Sequence, residues 1–307
     1  METAEGPRMI AAMVSILLSA LRVSTPLLFA AMGGLMSERS GVINIALEGM
    51  MLVGAFAGAC VAWVTHSPVL GMMGAMGAGA ILAAFYGFFV INLRANQIVA
   101  CAAIDLLALG LTPFLSRLFF GTSGQTPALP MSSRFELAPV WLAWVVVALV
   151  WLWMRYTPWG LWARFAGEHP QALAAAGVRV NRVRWASVIC SGLLSGMGGA
   201  SLSLFLASSF SRNMTAGRGY MALAALIFGK WSPIPAATAC LLFGLADALQ
   251  IRLQGVILWG SDPVPVQFIQ ILPYVVTVLV LAGLVGRSRP PAALGKAFQG
   301  AQGAQGE

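Results

Sequence analysis

The sequence predicts an all-α protein, a polytopic transmembrane helical bundle with eight to ten spans and broken or re-entrant helices. Of its 307 residues, 59% are hydrophobic and only 9% are charged, whereas a soluble chain carries about 25% charged residues. Apolar stretches of 17 to 25 residues recur from Met9 to Val285. Each is long enough to cross ~30 Å of hydrocarbon as a helix, and a helix satisfies its own backbone hydrogen bonds in lipid.

The predicted spans follow the apolar segments of the chain. These are 9–36, 43–64, 68–92, 97–118, 138–154, 185–206, 219–230, 233–253 and 266–285. The first contains Arg22 and Pro26 and is predicted to be either one kinked span or a span plus a re-entrant piece. Segment 219–230 is too short for an ordinary span and ends in the turn-rich stretch Gly229–Pro233. The pairs Gly54/Gly58 and Gly192/Gly196 are spaced for close helix packing.

The distribution of basic residues predicts how the chain is oriented. Loop 155–184 contains five arginines and one acid, so it should be cytoplasmic, while loops 119–137 and 254–265 should lie outside. This bias explains the net charge of +8 without a nucleic-acid partner. The predicted organisation is an N-terminal tail, 1–8, a transmembrane domain, 9–285, and a disordered cytoplasmic tail, 286–307.

The sequence contains no recognisable catalytic centre. It has neither an HExxH nor another metal-ligand cluster, and no GxSxG nucleophile motif. Lys230 and Lys296 each follow glycine, but Trp231 and Ala297 stand where a phosphate-binding loop needs Ser or Thr. We therefore expect a transport subunit rather than an enzyme, with no metal or cofactor. Any ATP hydrolysis must take place on another chain.

A few polar residues lie within the apolar segments and are candidates for a transport path. Asn44 and Glu48 are four residues apart and should share one helical face, and Asp247 and Gln250 are three apart. A charged residue at mid-membrane costs about 2.5–3.5 kcal/mol on insertion, so it usually faces a cavity or a partner. The alternative is that such groups only join helices, at ~0.6 kcal/mol per hydrogen bond. For Asp105 the two interpretations stay open.

Four stretches resemble a known transporter family. They are Gly33–Met51, with Ser37-Glu-Arg-Ser-Gly41, Asn44 and Glu48-Gly49; Arg164–Val178; Gly217–Lys230; and Phe243–Gln250 with Leu272-Pro-Tyr274. Together they resemble the ABC-type permeases of the nucleoside, simple-sugar and branched-chain amino acid group, and are most similar to the nucleoside branch. In the second stretch, Phe165 and His169 depart from the usual form.

The resemblance implies a multi-pass subunit of the bacterial cytoplasmic (inner) membrane. Its partners would be an ATP-binding subunit, a second permease chain (a paralogue or a copy of itself), an extracytoplasmic substrate-binding protein and membrane lipid. The short helix of loop 155–184, which begins near Pro170 and ends at Gly177, would contact the ATPase. The implied coupling residues are Arg164, Gly167, Glu168, Pro170, Ala175 and Gly177, and those of the path are Ser40, Asn44, Glu48, Tyr220, Asp247 and Gln250. Helix ends near Ser40–Gly49 and Gly217–Tyr220 would present backbone groups to a neutral substrate.

Import of nucleosides is the function that these patterns favour, with simple sugars as the second substrate class. A passive channel or ion-coupled secondary carrier is the alternative of a different class, in which Asp105 and Asp247 would relay protons. A membrane enzyme acting on lipid is disfavoured because the acid/base or metal cluster it needs is missing from the sequence.

Overall fold

The computed structural model describes residues 5–253, 271, 275 and 289–298. Over these residues the regular structure is helical, and no β-strand occurs among them. The helices are α1 (Glu5–Arg39), α2 (Leu47–Thr65), α3 (Pro68–Gly87), α4 (Gln97–Phe120), α5 (Ala138–Tyr156), α6 (Pro158–Glu168), α7 (Pro170–Ala175), α8 (Val180–Ser201), α9 (Arg218–Phe228) and α10 (Pro233–Leu253). π-helical turns extend α3 to Asn92 and α8 to Leu206.

Seven of the described helices are long and apolar enough to cross a membrane: Met13–Arg39, Leu47–Thr65, Pro68–Asn92, Gln97–Phe120, Met131–Tyr156, Val180–Leu206 and Pro233–Leu253. Predicted segment 219–230 corresponds to α9, whose 11 residues are too few for a span. The predicted last span, 266–285, lies outside the described residues except for positions 271 and 275. The first segment is one continuous helix that contains Pro26, which membrane helices tolerate where neighbours pack against them.

The centre of the bundle is α8, which packs against α1, α2 and α3, and α2 also packs against α3. Glycines permit this approach, because a Cβ on Gly54 would lie 2.6 Å from the Cα of Gly196, and one on Gly192 would lie 2.4 Å from the carbonyl oxygen of Gly79. The predicted packing role of Gly54 and of the Gly192/Gly196 pair is therefore confirmed. Small residues at such crossings let van der Waals contact hold helices together in lipid.

Loop 155–184, the turn at Gly229–Pro233 and the turn after α3 lie at one end of the bundle, which we call the basic end. There Arg39 donates from Nε to the carbonyl oxygen of Trp231 at 2.7 Å, and the indole N–H of Trp185 donates to Asn92 at 3.0 Å. The loop between α4 and α5 lies at the other end, where Leu129 N donates to the carbonyl of Ser208 at 2.7 Å. Loops 155–184 and 119–137 thus lie at opposite ends of the bundle, and which end faces the cytoplasm stays a prediction from charge. The predicted outer loop 254–265 lies outside the described residues.

Helix packing at glycine generates a first prediction. A Cβ on Gly199 would lie 1.9 Å from the carbonyl oxygen of Met51, whereas one on Gly110 would meet nothing within 4 Å. Gly199→Ala should destabilise the protein by about 1–3 kcal/mol, the usual cost of overpacking. The measurement is the thermal unfolding midpoint in detergent, with Gly110→Ala as the matched control. Equal midpoints for the two variants would contradict the packing described here.

Candidate functional site

The chain between α1 and α2 is buried but not helical. Residues 40–46 have no regular structure, and Gly41 has φ +90°, a conformation that favours glycine. Side chains from α3 and α4 bind backbone groups that have no helical partner. The Tyr86 hydroxyl donates to the carbonyl oxygen of Ile43, and Ile43 N donates to Gln97 Oε1 at 2.8 Å. Irregular backbone at membrane depth requires such partners.

The Glu48 carboxylate binds the N-terminus of α9. Its Oε1 accepts from Gly217 N at 2.8 Å, and its Oε2 accepts from Gly219 N at 2.7 Å. The first N–H groups of a helix lack partners inside the helix, and the helix dipole attracts negative charge there. Glycine is needed at position 219, because a Cβ would lie 2.5 Å from Glu48 N. The N–H groups of Gly217 and Gly219 are therefore engaged by Glu48 and not open to a substrate.

Asp105 connects three helices at the same place. Its Oδ1 accepts from Gly49 N in the first turn of α2 at 2.8 Å, and its Oδ2 accepts from the Tyr220 hydroxyl of α9 at 2.9 Å. Asp105 is buried, whereas the Tyr220 side chain is 46% exposed. The hydroxyl contact fixes the orientation of the Tyr220 ring, so that a planar apolar face is exposed beside the start of α9.

Asn44 does not share a helical face with Glu48, because α2 begins only at Leu47. That prediction was wrong. The fully buried Asn44 side chain instead donates from Nδ2 to Ser191 Oγ of α8 at 2.8 Å, and its Oδ1 has no partner among the described residues. Ser40, also buried, donates from its hydroxyl to the carbonyl of Ser37 at 2.7 Å. Both residues thus belong to the non-helical stretch and its packing.

Asp247 and Gln250 lie on α10, half-buried and apart from the Glu48–Asp105 cluster. The charge that acts on Asp247 is that of Arg218, the first residue of α9. In the described part of the chain, no hydrogen bond joins either residue to Glu48 or Asp105. The structure therefore brings together Glu48, Asp105 and Tyr220, and leaves the α10 pair outside this cluster.

Sequence reasoning missed the contacts that hold the other end of α9. Glu38 is 3% exposed, and its Oε2 accepts from the indole N–H of Trp231 in the turn that follows α9. Lys230 and Trp231 both have positive φ, 51° and 52°, and Arg39 holds the same turn through the Trp231 carbonyl. Glu38 stands between two predicted spans, so it did not count as an intramembrane acid. Its only signal was its place in the Ser37–Gly41 motif.

Loop 155–184, predicted to be cytoplasmic, contains helices α6 and α7. α7 begins at Pro170, and Gly177 follows it with φ +82°, so the prediction of a short helix with these limits is confirmed. Ala175 is exposed, whereas Leu173 packs inward. The site thus presents a small, largely apolar helical surface at the basic end.

The end of α6 contacts the end of α1. Glu168 Oε1 lies 3.7 Å from Arg39 Nη1, and a Cβ on Gly167 would lie 2.3 Å from the carbonyl oxygen of Arg39. Arg164 is half-buried, and its Nε has no partner among the described residues. Of the predicted coupling residues, Gly167 and Glu168 face the bundle, and Ala175 faces outward.

Part of the predicted disordered tail contacts this region. Residues 289–298 are described, and Ala293 N donates to the carbonyl of Gly167 at 2.8 Å. The expectation of disorder over 286–307 therefore does not hold for 289–298, because their backbone groups find partners on the bundle.

The sequence profile of one family, described as the branched-chain amino acid transport system permease component, matches residues 16–281. The chain belongs to this family. The guanosine ABC transporter permease protein NupQ of Bacillus subtilis is 36% identical over 89% of this chain and 92% of its own. The nucleoside ABC transporter permease protein NupC of Lactococcus lactis is 37% identical over the same shares. No solved structure matches.

These comparisons confirm the resemblance seen in the four sequence stretches. The permease is an integral membrane subunit of an ABC transporter, a transport component and not an enzyme. The seven candidate spans found among the described residues fit a multi-pass protein of the inner membrane. Within the described residues, no group of three or more His, Cys, Asp or Glu side chains is arranged to hold a metal ion.

The Glu48 contact generates a second prediction. Glu48→Gln keeps the shape of the side chain but leaves one N–H of the pair at Gly217 and Gly219 without an oxygen acceptor, at a cost of about 1–3 kcal/mol. Backbone amides at 217–220 should therefore exchange faster with deuterium than in the unaltered permease. Glu136→Gln, at an exposed acid of the loop before α5, is the control. Unchanged exchange at 217–220 in Glu48→Gln would show that the carboxylate does not hold α9.

Proposed function

We propose that this permease imports nucleosides. The observation that carries the proposal is the pair of relatives whose names state guanosine and nucleoside transport, each more than one-third identical over nearly nine-tenths of the chain. Side chains beside the start of α9 support it. Tyr220 exposes an aromatic ring on which a nucleobase can stack, and stacked aromatic pairs contribute about 0.5–1.5 kcal/mol beyond the area that they bury.

The proposed path runs past the place where α9 starts. α9 is then a half-helix whose N-terminus lies inside the membrane, and the buried non-helical stretch 40–46 is the break that accommodates it. Tyr220 is the path residue that would touch substrate, with Glu48 directly behind it. Ser40 and Asn44 would shape the break, and Asp247 and Gln250 would line the opposite side from α10.

The proposed domain organisation is a single transmembrane unit, 9–285. With 266–285 as a final span, the seven described spans become eight, the lower limit of the predicted range. The segment 155–184 is its cytoplasmic coupling loop. Such an organisation returns the chain to the basic end for residues 289–298, where they are found.

Energy would enter through the coupling loop. An ATP-binding subunit would receive the exposed surface of α7, and closure of that subunit would shift the equilibrium between inward- and outward-open states. Arg164, Gly167, Glu168 and Pro170 would set the position of α7, while Ala175 and Gly177 would face the ATPase. A second permease chain would complete the path within the lipid, and an extracytoplasmic binding protein would deliver substrate at the other end.

Simple sugars are the second candidate substrate. The protein named putative glucose ABC transporter permease TsgC13, from Haloferax volcanii, is 33% identical over 87% of this chain. The two substrates are separated by uptake into vesicles that contain the assembled transporter. We expect unlabelled guanosine to compete with labelled nucleoside uptake, and glucose not to compete. Uptake of labelled glucose without uptake of labelled nucleoside would replace the nucleoside proposal with the sugar one.

The energy source is tested in the same vesicles. Removing ATP while a membrane potential is maintained should abolish uptake, because the proposed energy source is ATP hydrolysis on the partner subunit. A potential-driven carrier would continue to transport under these conditions. Such continued uptake would favour the ion-coupled alternative, with Asp105 and Asp247 as its proton relay.

A fifth prediction concerns the coupling helix. Ala175→Trp places a bulky side chain on the exposed face of α7, so co-purification of the ATP-binding subunit and ATP-driven uptake should both fall severalfold. Ala128→Trp, at an exposed alanine of the loop between α4 and α5, should leave co-purification unchanged. If Ala175→Trp retains normal uptake, α7 is not the contact with the ATPase.

A further inference from the structure

The C-terminal segment 289–298 joins the coupling loop to the break after α1. Ala293 N donates to the carbonyl oxygen of Gly167 at the end of α6, at 2.8 Å, and Gly295 N donates to the carbonyl oxygen of Gly41 at 3.1 Å. Gly295 has φ +79°, and a Cβ there would lie 2.9 Å from Ile43 Cδ1. The segment therefore lies directly across the junction between the cytoplasmic helices and the non-helical stretch 40–46.

The buried Arg184 side chain binds the tail, α6 and the stretch after α1. It is 3% exposed, and its guanidinium donates to three carbonyl oxygens: Nη1 to Lys296 at 2.9 Å, Nε to Ser40 at 3.2 Å and Nη2 to Ala166 at 3.4 Å. Among the described residues no carboxylate pairs with it. A buried guanidinium needs its N–H groups satisfied, so the tail, α6 and the break each supply part of one site.

Two further contacts connect the tail to the coupling helices. Phe298 packs against the apolar cluster that α6, α7 and the start of α8 form, which contains Ala166, Leu173 and Val183. Ala292 N donates to Glu168 Oε2 at 3.1 Å. The tail thus holds the same carboxylate that lies near Arg39.

The remaining link between Glu168 and α1 is weak by itself. The side chains of the Arg39–Glu168 pair are 21% and 42% exposed, and surface ion pairs typically contribute about 0–1 kcal/mol. Without the tail, the direct link from α6 to α1 is this weak pair together with the backbone contact of Gly167 on Arg39. The tail adds backbone hydrogen bonds, an apolar anchor and the carbonyl of Lys296 on Arg184.

We propose that residues 289–298 are a working part of the coupling machinery: they clamp α6 and α7 to the break after α1, so that movement at the ATPase contact reaches the path. Arg184 and Phe298 are the positioning residues of this clamp. The inference rests on the proposed role of α7 as the ATPase contact, and it assigns a transport role to a segment that the sequence predicts to be disordered.

The test compares three chain lengths in proteoliposomes with the ATP-binding subunit and the binding protein. One is the full chain, one ends at Phe298 and one ends at Ser288. The chain ending at Phe298 should transport as the full chain does. The chain ending at Ser288 should still bind the ATPase and hydrolyse ATP, but its uptake per ATP hydrolysed should fall severalfold. Equal coupling ratios for all three chains would overturn the proposal.

Point variants keep the test decisive if the shortest chain assembles poorly. Phe298→Ala and Arg184→Gln should each lower uptake per ATP in the full-length chain. Spin labels at exposed position 161 of α6 and at position 230, both at the basic end, give a second readout: their distance distribution should broaden in these variants at unchanged unfolding temperature. If coupling falls only in proportion to the amount of folded transporter, the segment has a merely structural role and the proposal is wrong.

The failure of this inference is distinguishable from failure of the coupling loop itself. Ala175→Trp in the full chain tests the contact with the ATPase directly. Normal coupling in that variant would remove the proposed role of α7, whatever the tail does. A defect in Ala175→Trp together with normal coupling in the chain ending at Ser288 would remove only the role of the tail.

Discussion

The arrangement of the site depends on the pair of hydrogen bonds between the Glu48 carboxylate and the start of α9. A helix that starts inside a bundle leaves unpaired N–H groups where water is scarce, and a carboxylate in the same place leaves an uncompensated charge. Here the carboxylate accepts hydrogen bonds from the N–H groups, and these N–H groups stabilise its charge. Because Gly49, the next residue, donates to Asp105, and Asp105 accepts from Tyr220, the positions of α2, α4 and the exposed aromatic ring follow from the same contact.

The other end of α9 is held by residues from the same part of the chain. Glu38 binds the indole of Trp231 and Arg39 binds its carbonyl, so one end of α9 is attached to the last turn of α1 and the other to the first turn of α2. Arg39 also lies near Glu168, at the end of α6. The elements that would face substrate and those that would face the ATPase are therefore separated by few contacts. A small displacement at the basic end has a short route to the centre of the bundle.

Much of the fold could be predicted because hydropathy and charge act locally. Segment lengths located the described spans, and the arginines of loop 155–184 identified the basic end. The pattern of Pro170, the following alanines and Gly177 predicted α7 because each residue has its effect within one turn. The glycine pairs were recognised for the same reason, since close packing needs only the absence of a side chain.

The contacts that sequence could not supply are the ones between distant positions. The spacing of Asn44 and Glu48 fitted a helix, but backbone hydrogen bonds to Tyr86 and Gln97 stabilise an irregular stretch there instead. Glu38 lies 193 positions from its partner Trp231, and nothing local marks the pair. The Gly- and Ala-rich tail carries too few apolar residues to suggest a docked segment, and its order between 289 and 298 comes from carbonyl and amide partners far along the chain.

Glu38 and Glu48 are close in sequence, and each fixes one end of α9, which has 11 residues and a length of about 16 Å. The distance between the two acids therefore sets the length of that helix. A residue inserted into α9 would move one end away from its carboxylate unless the stretch between Glu38 and Glu48 lengthened too. The lengths of these two distant parts of the chain are therefore coupled.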